Sequence, residues 1–97
     1  MVDDSRQDGP PPSAELLTFP TAYPIKVVGR RSEHLRSSID AIVREHVPDL
    51  TEDQISERAS NQQHFLAITY NINARSKEQI VALANALQAS KDVIMLI

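Results

Sequence analysis

Cysteine is absent from this chain of 97 residues. Its absence excludes disulfide bonds, thiolate zinc sites and a cysteine nucleophile, and it agrees with the cytoplasmic location that we predict. No apolar run approaches the ~18 residues that a membrane-spanning helix requires. The first residues are acidic and rich in proline, so they lack the basic and apolar stretches of a signal peptide. The sequence therefore predicts a small globular protein that does not cross a membrane.

A basic excess is also lacking, since the formal net charge is −3. The first 15 residues account for this charge through Asp3, Asp4, Asp8 and Glu15 against Arg6. The rest of the chain is neutral, which counts against nucleic-acid binding because domains of that kind are usually basic. We predict a flexible, acidic and proline-rich tail over residues 1–15 and a single domain over residues 16–97.

The first half of the domain is predicted to be a strand followed by a helix. Alternating apolar residues indicate a strand over Thr21–Val28, with residues 29–31 as the turn after it. Pro24 suggests that the strand starts there or lies at an edge. Ser32 is expected to cap a helix of about 15 residues, which Pro48 ends.

The second half is predicted to be two strands, a helix and a last strand. Residues 54–60 form a weak strand and residues 64–73 a strong one, in which even-numbered apolar residues share a face. Ser76 and Gln79 match a capping box, in which Gln79 reaches back to the amide of the cap residue. The buried stripe of this helix is Ile80, Leu83, Ala84 and Leu87, and the last strand covers Val93–Ile97.

The order β-α-β-β-α-β predicts an α+β fold of the split βαβ, ferredoxin-like kind. Each helix has a single apolar stripe, so we expect a two-layer sandwich with both helices on one face of a four-stranded antiparallel sheet. The other face of the sheet is expected to stay open. The alternative is a mixed two-layer α/β fold with another strand order.

The segment between the first strand and the first helix is a candidate anion or effector site, formed by Gly29, Arg30, Arg31 and Ser32. A helix N-terminus beside two arginines favours an anion. Domains of the ACT type bind small-molecule effectors at this loop, and acylphosphatases of the same topology hold phosphate there. The alternative is an ordinary turn with solvated arginines.

The open face is the second candidate, as a surface for another protein or for a second copy of this chain. The expected residues on it are Val28, Phe65, Ala67 and Thr69, together with Ile94 and Leu96. RNA-recognition domains use this face but stack bases on several aromatic side chains, and aromatic residues make up 4% of this chain. RNA binding is therefore a weaker alternative, and a water-facing sheet without a partner is a further one.

Catalytic, metal and cofactor sites are not indicated by any motif. His34, His46 and His64 have no metal-ligand spacing. The serines are explained as caps or surface residues, and Asp40 and Glu45 are expected on the polar side of the first helix. We predict that the chain is not an enzyme. A small hydrolase of the acylphosphatase type is the alternative, disfavoured because a phosphate cradle needs further glycines beside Gly29.

Segments in both halves of the predicted domain resemble a known protein family. These are Leu17–Pro20, Tyr23–Gly29, Phe65–Tyr70, Ile72–Ala74 and Glu78–Ile80, with Leu83, Leu87, Val93 and Met95. Together they resemble the small bacterial proteins of the YbeD-like family over about residues 16–97. The chain departs from that pattern at Ala67 and Ala84.

The resemblance implies a ferredoxin-like fold, similar to the ACT-type domain of phosphoglycerate dehydrogenase. It also implies a regulatory module linked to lipoate metabolism. Motifs of this family are mostly structural, so the resemblance says more about fold than about function.

Overall fold

The computed structural model describes residues 18–60, 62 and 64–97, so the predicted tail over residues 1–15 lies outside the described residues. Within these described residues, four strands and two α-helices follow in the order βαββαβ, as predicted. They are β1 (Thr21–Arg30), α1 (Leu35–His46), β2 (Ile55–Ala59), β3 (Phe65–Ala74), α2 (Lys77–Ala89) and β4 (Val93–Leu96), with a 3₁₀ turn at Glu52–Gln54 before β2.

The sheet has the order β2-β3-β1-β4, with every neighbouring pair antiparallel. The long central pair β1–β3 runs in unbroken register from Thr21 opposite Ala74 to Arg30 opposite Phe65. The edge strands are short, four residues in β4 and five in β2. Both helices cover one face, which confirms the ferredoxin-like two-layer prediction.

The core lies between the helices and one face of the sheet. Every second residue of β3 is buried there, and α1 and α2 supply the facing side chains. The side chains of this cluster with no measurable exposure include Val27, Ile39, Val43, Ile68, Tyr70, Ile72, Leu83 and Leu87. Burial of each large apolar side chain contributes about 1.5–3 kcal/mol. The predicted alternation in β3 is therefore confirmed.

The first strand is longer than predicted, because β1 continues through Gly29 and Arg30. A Cβ atom at Gly29 would lie 2.6 Å from the carbonyl oxygen of Asp92 and 2.7 Å from a methyl carbon of Leu35. The absent side chain thus lets the α2–β4 connection and α1 approach the strand. The prediction of a turn at residues 29–31 was wrong because a glycine can serve close packing as well as a turn.

Pro24 lies inside β1, which is an inner strand of the sheet. The pairing of β4 with β1 covers Val27–Gly29 and does not extend to Pro24. At that point β1 pairs with β3 on one side, and no strand of the described residues pairs with it on the other, so the missing amide of proline is tolerated. The prediction of an edge is therefore confirmed at Pro24 itself, although the strand begins three residues before Pro24.

The helix starts differ from one another. The cap position of α1 is His34, so Ser32 is not the cap; its hydroxyl accepts a hydrogen bond from the His34 amide at 3.3 Å in the turn before the helix. Ser76 does cap α2, accepting from the Gln79 amide at 3.1 Å. The Gln79 side chain accepts from the Arg75 amide at 2.6 Å, one residue earlier than a capping box requires.

Candidate functional site

The open face of the sheet carries three cations in register with the small and apolar residues of β3. Cross-strand neighbours share a face, so the pairing of the strands gives their positions. The pairs are Lys26 with Thr69, Arg30 with Phe65, and Arg58 with Ala67. We call Lys26, Arg30 and Arg58 the cationic strip.

None of these three cations forms an ion pair with a carboxylate of residues 18–60, 62 or 64–97. Glu57, the acid of β2, lies opposite Ile68 and so faces the helices. The guanidinium of Arg30 lies 5.8 Å from the ring centroid of Phe65, within range of a cation–π contact. The three cations of the open face are therefore without an ion-pair partner in the part of the chain that the structure describes.

The residues predicted for the interaction surface share one face of the sheet. Val28, Phe65 and Ala67 line a shallow depression of about 320 Å³ together with Arg58. Thr69 lies two residues further along β3, opposite Lys26. Phe65 is 38% exposed. The apolar part of the surface was thus predictable from the sequence, and the register adds the cations.

The contribution of β4 differs from the prediction. Leu96 packs against the core, opposite Val27, whereas Met95 lies opposite Val28 on the open face and is 51% exposed. The pairing of β4 with β1 is irregular between Val28 and Gly29. Such an irregularity shifts the alternation of faces by one residue, and sequence periodicity shows no sign of it. Ile94, which is expected on the open face, is exposed, and the strand pairing does not assign it to a face.

Because β1 is longer than predicted, the residues of the predicted anion site do not lie together at one turn. Gly29 is buried in the strand, whereas Arg30 and Ser32 line a second depression of about 390 Å³ with Lys91. Asp92 and Ile94 complete its wall. The cations at this place are Arg30 and Lys91, and Lys91 is distant in sequence from Arg30 and belongs to no motif.

Three backbone amides near the start of α1 already have partners. The Arg31 amide donates to the His64 carbonyl at 2.9 Å, and the Leu35 amide donates to the Ser32 carbonyl at 3.3 Å. The His34 amide donates to the Ser32 hydroxyl. An anion in the second depression would therefore depend on side chains more than on a backbone cradle.

A polar network on the covered face was not predicted. Arg36 of α1 forms ion pairs with Asp40 at 2.9 Å, with Glu52 before β2 and with Glu57 of β2. Asp40 also accepts a hydrogen bond from the Tyr70 hydroxyl of β3. Asp40 was expected on the solvated side of α1, but its side chain is 18% exposed. The spacing of Arg36 and Asp40, i and i+4 on a helix, was the available signal.

Arg36 and Tyr70 of the network both have raised pKa values. Partial burial alone would lower the pKa of Arg36, but its bonds to three carboxylates outweigh this and raise it. Burial raises the pKa of the Tyr70 hydroxyl, and its hydrogen bond to Asp40 raises this pKa further. Both groups therefore keep their protons at any physiological pH. The network ties α1 to β2 and β3, and its groups are already paired with one another.

The histidines are distributed over three places: the start of α1, its end, and the residue before β3. Nδ1 of His46 lies 3.0 Å from the Ile42 carbonyl oxygen. Within the described ranges, no group of three or more acidic or histidine side chains could hold a metal ion. No helix in those ranges is long and apolar enough to cross a membrane.

Comparison with solved structures identifies the class of the fold. The ACT domain of GTP pyrophosphokinase from Chlorobium tepidum, in its solution NMR structure, matches with a TM-score of 0.63 at 14% identity, covering 79% of this chain and 83% of that one. Its crystal structure matches with a TM-score of 0.61. At this identity the likeness shows the fold alone, which is an ACT-like, ferredoxin-like α+β domain.

Sequence comparison identifies the family. The model of "Protein of unknown function (DUF493)" matches residues 14–97, so the chain belongs to this family, which confirms the YbeD-like resemblance. A UPF0250 protein of Shewanella loihica is 39% identical over 79 residues, covering 81% of this chain and 88% of its own. A UPF0250 protein of Pseudomonas paraeruginosa is 35% identical over 91 residues, covering 93% and 98%. The relatives are bacterial, and their names state no activity.

Proposed function

We propose that the protein is a regulatory interaction module without catalytic activity, which binds an acidic polypeptide segment of a partner through the open face of its sheet. The observation that carries this proposal is the cationic strip, in which each cation stands beside a small or apolar residue of β3. The ACT-like fold agrees with a regulatory role. The link to lipoate metabolism rests on the resemblance alone and stays a prediction.

The spacing of the strip suits an extended polypeptide. Lys26 and Arg30 are four residues apart in one strand, which corresponds to about 13 Å. An extended chain has the same rise per residue, so acidic side chains four residues apart would match both cations. Phe65 and Val28, which line the same depression, together offer apolar contact area. Such a surface combines electrostatic steering with a small apolar centre.

Photocrosslinking tests the face directly. A benzophenone amino acid replaces Phe65 on the open face and, as the matched control, Val81 on α2, which is 45% exposed. We expect a partner to be captured in native lysate from position 65 and not from position 81. Equal capture from both positions would contradict the proposal.

Binding of defined probes then separates an acidic polypeptide from RNA. We expect a labelled poly-glutamate peptide to bind with an affinity that falls as salt rises, and oligouridylate to bind less well because the face has a single exposed aromatic ring. Reversal of Arg30 and Arg58 to Glu should abolish peptide binding. The control reverses Arg44 and Arg75, exposed cations outside the strip, and should retain it. Preference for oligouridylate would favour the RNA-binding alternative.

A second candidate function is the binding of a small anionic effector at Arg30, Arg31 and Ser32. The depression that Arg30 and Ser32 line with Lys91 favours it. A phosphate titration followed by amide shifts at residues 29–33 and 91 tests this candidate, and no shift at millimolar phosphate would exclude it. An acyl phosphate turnover assay tests the hydrolase alternative, for which we expect no activity.

A further inference from the structure

Arg30 lies between the two depressions of this molecule. It belongs to β1, which has β3 on one side and β4 on the other. Towards β3, its guanidinium lies 5.8 Å from the ring centroid of Phe65, which lines the depression of the open face. Arg30 also lines the second depression with Ser32 and Lys91, which precedes β4. One cation therefore contributes both to the cationic strip and to the second depression.

The polar side chains of the second depression suit a small anion that carries a phosphate group. A guanidinium binds phosphate oxygens through two parallel hydrogen bonds, and the ammonium of Lys91 adds a point charge. The Ser32 hydroxyl accepts from the His34 amide, so its own hydrogen can be donated to an anion. Lys91 is exposed and forms no ion pair with a carboxylate in the ranges that the structure describes.

Asp92 is the acid in the wall of this depression. It is partly buried, and its carboxylate accepts a hydrogen bond from the Ser38 hydroxyl of α1 at 2.7 Å. Two cations against one carboxylate leave an excess of one positive charge among the lining side chains. This excess depends on Arg30, because the charges of Lys91 and Asp92 alone would cancel. An anion in the depression therefore needs the guanidinium.

Arg30 is able to turn from Phe65 toward the second depression. Both side chains of the pair are exposed, and an exposed cation–π contact is weaker than the charge-assisted hydrogen bonds that a phosphate group offers. Neighbouring strands are about 4.8 Å apart, so a change of side-chain rotamer is enough to redirect the guanidinium. Among the described residues, no carboxylate holds Arg30 in its present position.

We infer that a small phosphate-bearing anion in the second depression draws Arg30 away from Phe65 and so weakens the binding of an acidic partner to the cationic strip. The anion and the partner compete for one guanidinium, and the charge of the anion also repels the partner. The coupling is reciprocal, so the partner weakens binding of the anion by the same factor. This inference rests on the function proposed above, although the movement of Arg30 does not.

Side-chain NMR tests the movement of Arg30 in the absence of any partner. The ring current of Phe65 displaces the Nε–Hε signal of Arg30, and inorganic phosphate should return this signal toward the ordinary arginine position. We expect no such change in Lys91→Gln, which loses the charge excess, and a smaller change in Phe65→Leu, which has no ring current to lose. Shifts of the Ser32 and Lys91 amides without movement of the Arg30 signal would overturn the inference. The absence of every shift at millimolar phosphate would do the same.

Competition with a poly-glutamate peptide tests the coupling. Saturating phosphate should weaken peptide binding between about twofold and about tenfold relative to chloride at the same ionic strength, because the strip loses one exposed ion pair. Lys91→Gln should bind the peptide nearly as the wild type does, without the effect of phosphate. The matched control is Arg75→Gln, an exposed cation at the opposite end of β3 from Phe65, which should keep the effect. Peptide binding in phosphate that is equal to or tighter than in chloride would overturn the inference.

The two experiments together separate this inference from the proposed function. Absence of peptide binding in every variant, with the movement of the Arg30 signal intact, would overturn the proposed function and leave that movement standing. Peptide binding to the strip that phosphate does not weaken would overturn the coupling and leave the proposed function standing.

Discussion

The two faces of the sheet differ in whether their charged side chains have partners and their apolar side chains are buried. On the covered face, alternate residues of β3 are buried, and Arg36 has three carboxylate partners. On the open face, the cations have no carboxylate partner within the described residues, and Phe65 and Met95 are exposed. One strand therefore contributes its even-numbered residues to the core and presents its odd-numbered residues on the open face. Substitutions on the two faces should separate these roles.

Truncation on the covered face should have the largest effect. Ile68→Ala removes a fully buried side chain of β3, and we expect a loss of about 2–5 kcal/mol in the free energy of unfolding because a cavity remains. The neighbouring Thr69→Ala on the open face should change it by less than about 0.5 kcal/mol. Urea denaturation of both variants measures the contrast, and equal losses would contradict the assignment of faces.

Gly29→Ala should have the next largest effect. The added methyl group would meet a backbone carbonyl at 2.6 Å, which a side-chain rotation cannot relieve. We expect a loss of about 1–3 kcal/mol from overpacking, measured as a lower midpoint in urea. Lys26→Ala, an exposed position in the same strand, is the control and should be nearly neutral. An unchanged midpoint for Gly29→Ala would show that the Asp92 connection moves freely.

Tyr70→Phe tests the polar network. Loss of the hydrogen bond to Asp40 should lower the free energy of unfolding by about 1–2 kcal/mol at pH 7. The pKa of Tyr70 is raised in the folded protein, so its contribution is complete below the ordinary value near 10 and is lost as pH rises above it. The difference between the two proteins should therefore shrink above about pH 10. Tyr23→Phe removes the other tyrosine hydroxyl and serves as the control.

The smallest effect is expected for the pair formed by Arg30 and Phe65. A double-mutant cycle with Arg30→Ala and Phe65→Leu should give a coupling of about 0.5–1 kcal/mol, typical of an exposed cation–π contact. The control cycle, which combines Lys26→Ala with Phe65→Leu, should give a value near zero. A coupling well above 2 kcal/mol for the first cycle would mean that the open face is already shielded from water.

The fold followed from the sequence because its local signals agreed with the tertiary structure. Alternating apolar residues predicted β3, Pro48 predicted the end of α1, and Ser76 predicted the start of α2. The wrong predictions concern residues whose type can serve two different structural roles. Gly29 was assigned to a turn and serves close packing, and Ser32 was assigned as a cap and orders the turn before it.

The apolar part of the candidate site could be predicted and the charged part could not. Phe65, Ala67 and Thr69 share a face by simple alternation within one strand. Placing Lys26 and Arg58 beside them requires the registers of two strand pairs, which depend on contacts distant in sequence. The position of Lys91 at the second depression and the Arg36 network also depend on contacts between residues that are distant in sequence.

The unbroken register of β1 with β3 has a consequence for the order of folding. Its partners are separated by the whole of α1 and β2, so the pair closes a long loop before it gains any contact. The β2–β3 pair joins neighbouring strands and closes a short one. We therefore expect the β2–β3 hairpin to form first and β1 to add later. Variants at Ile25 should then mainly change the unfolding rate, whereas variants at Ile68 should slow folding.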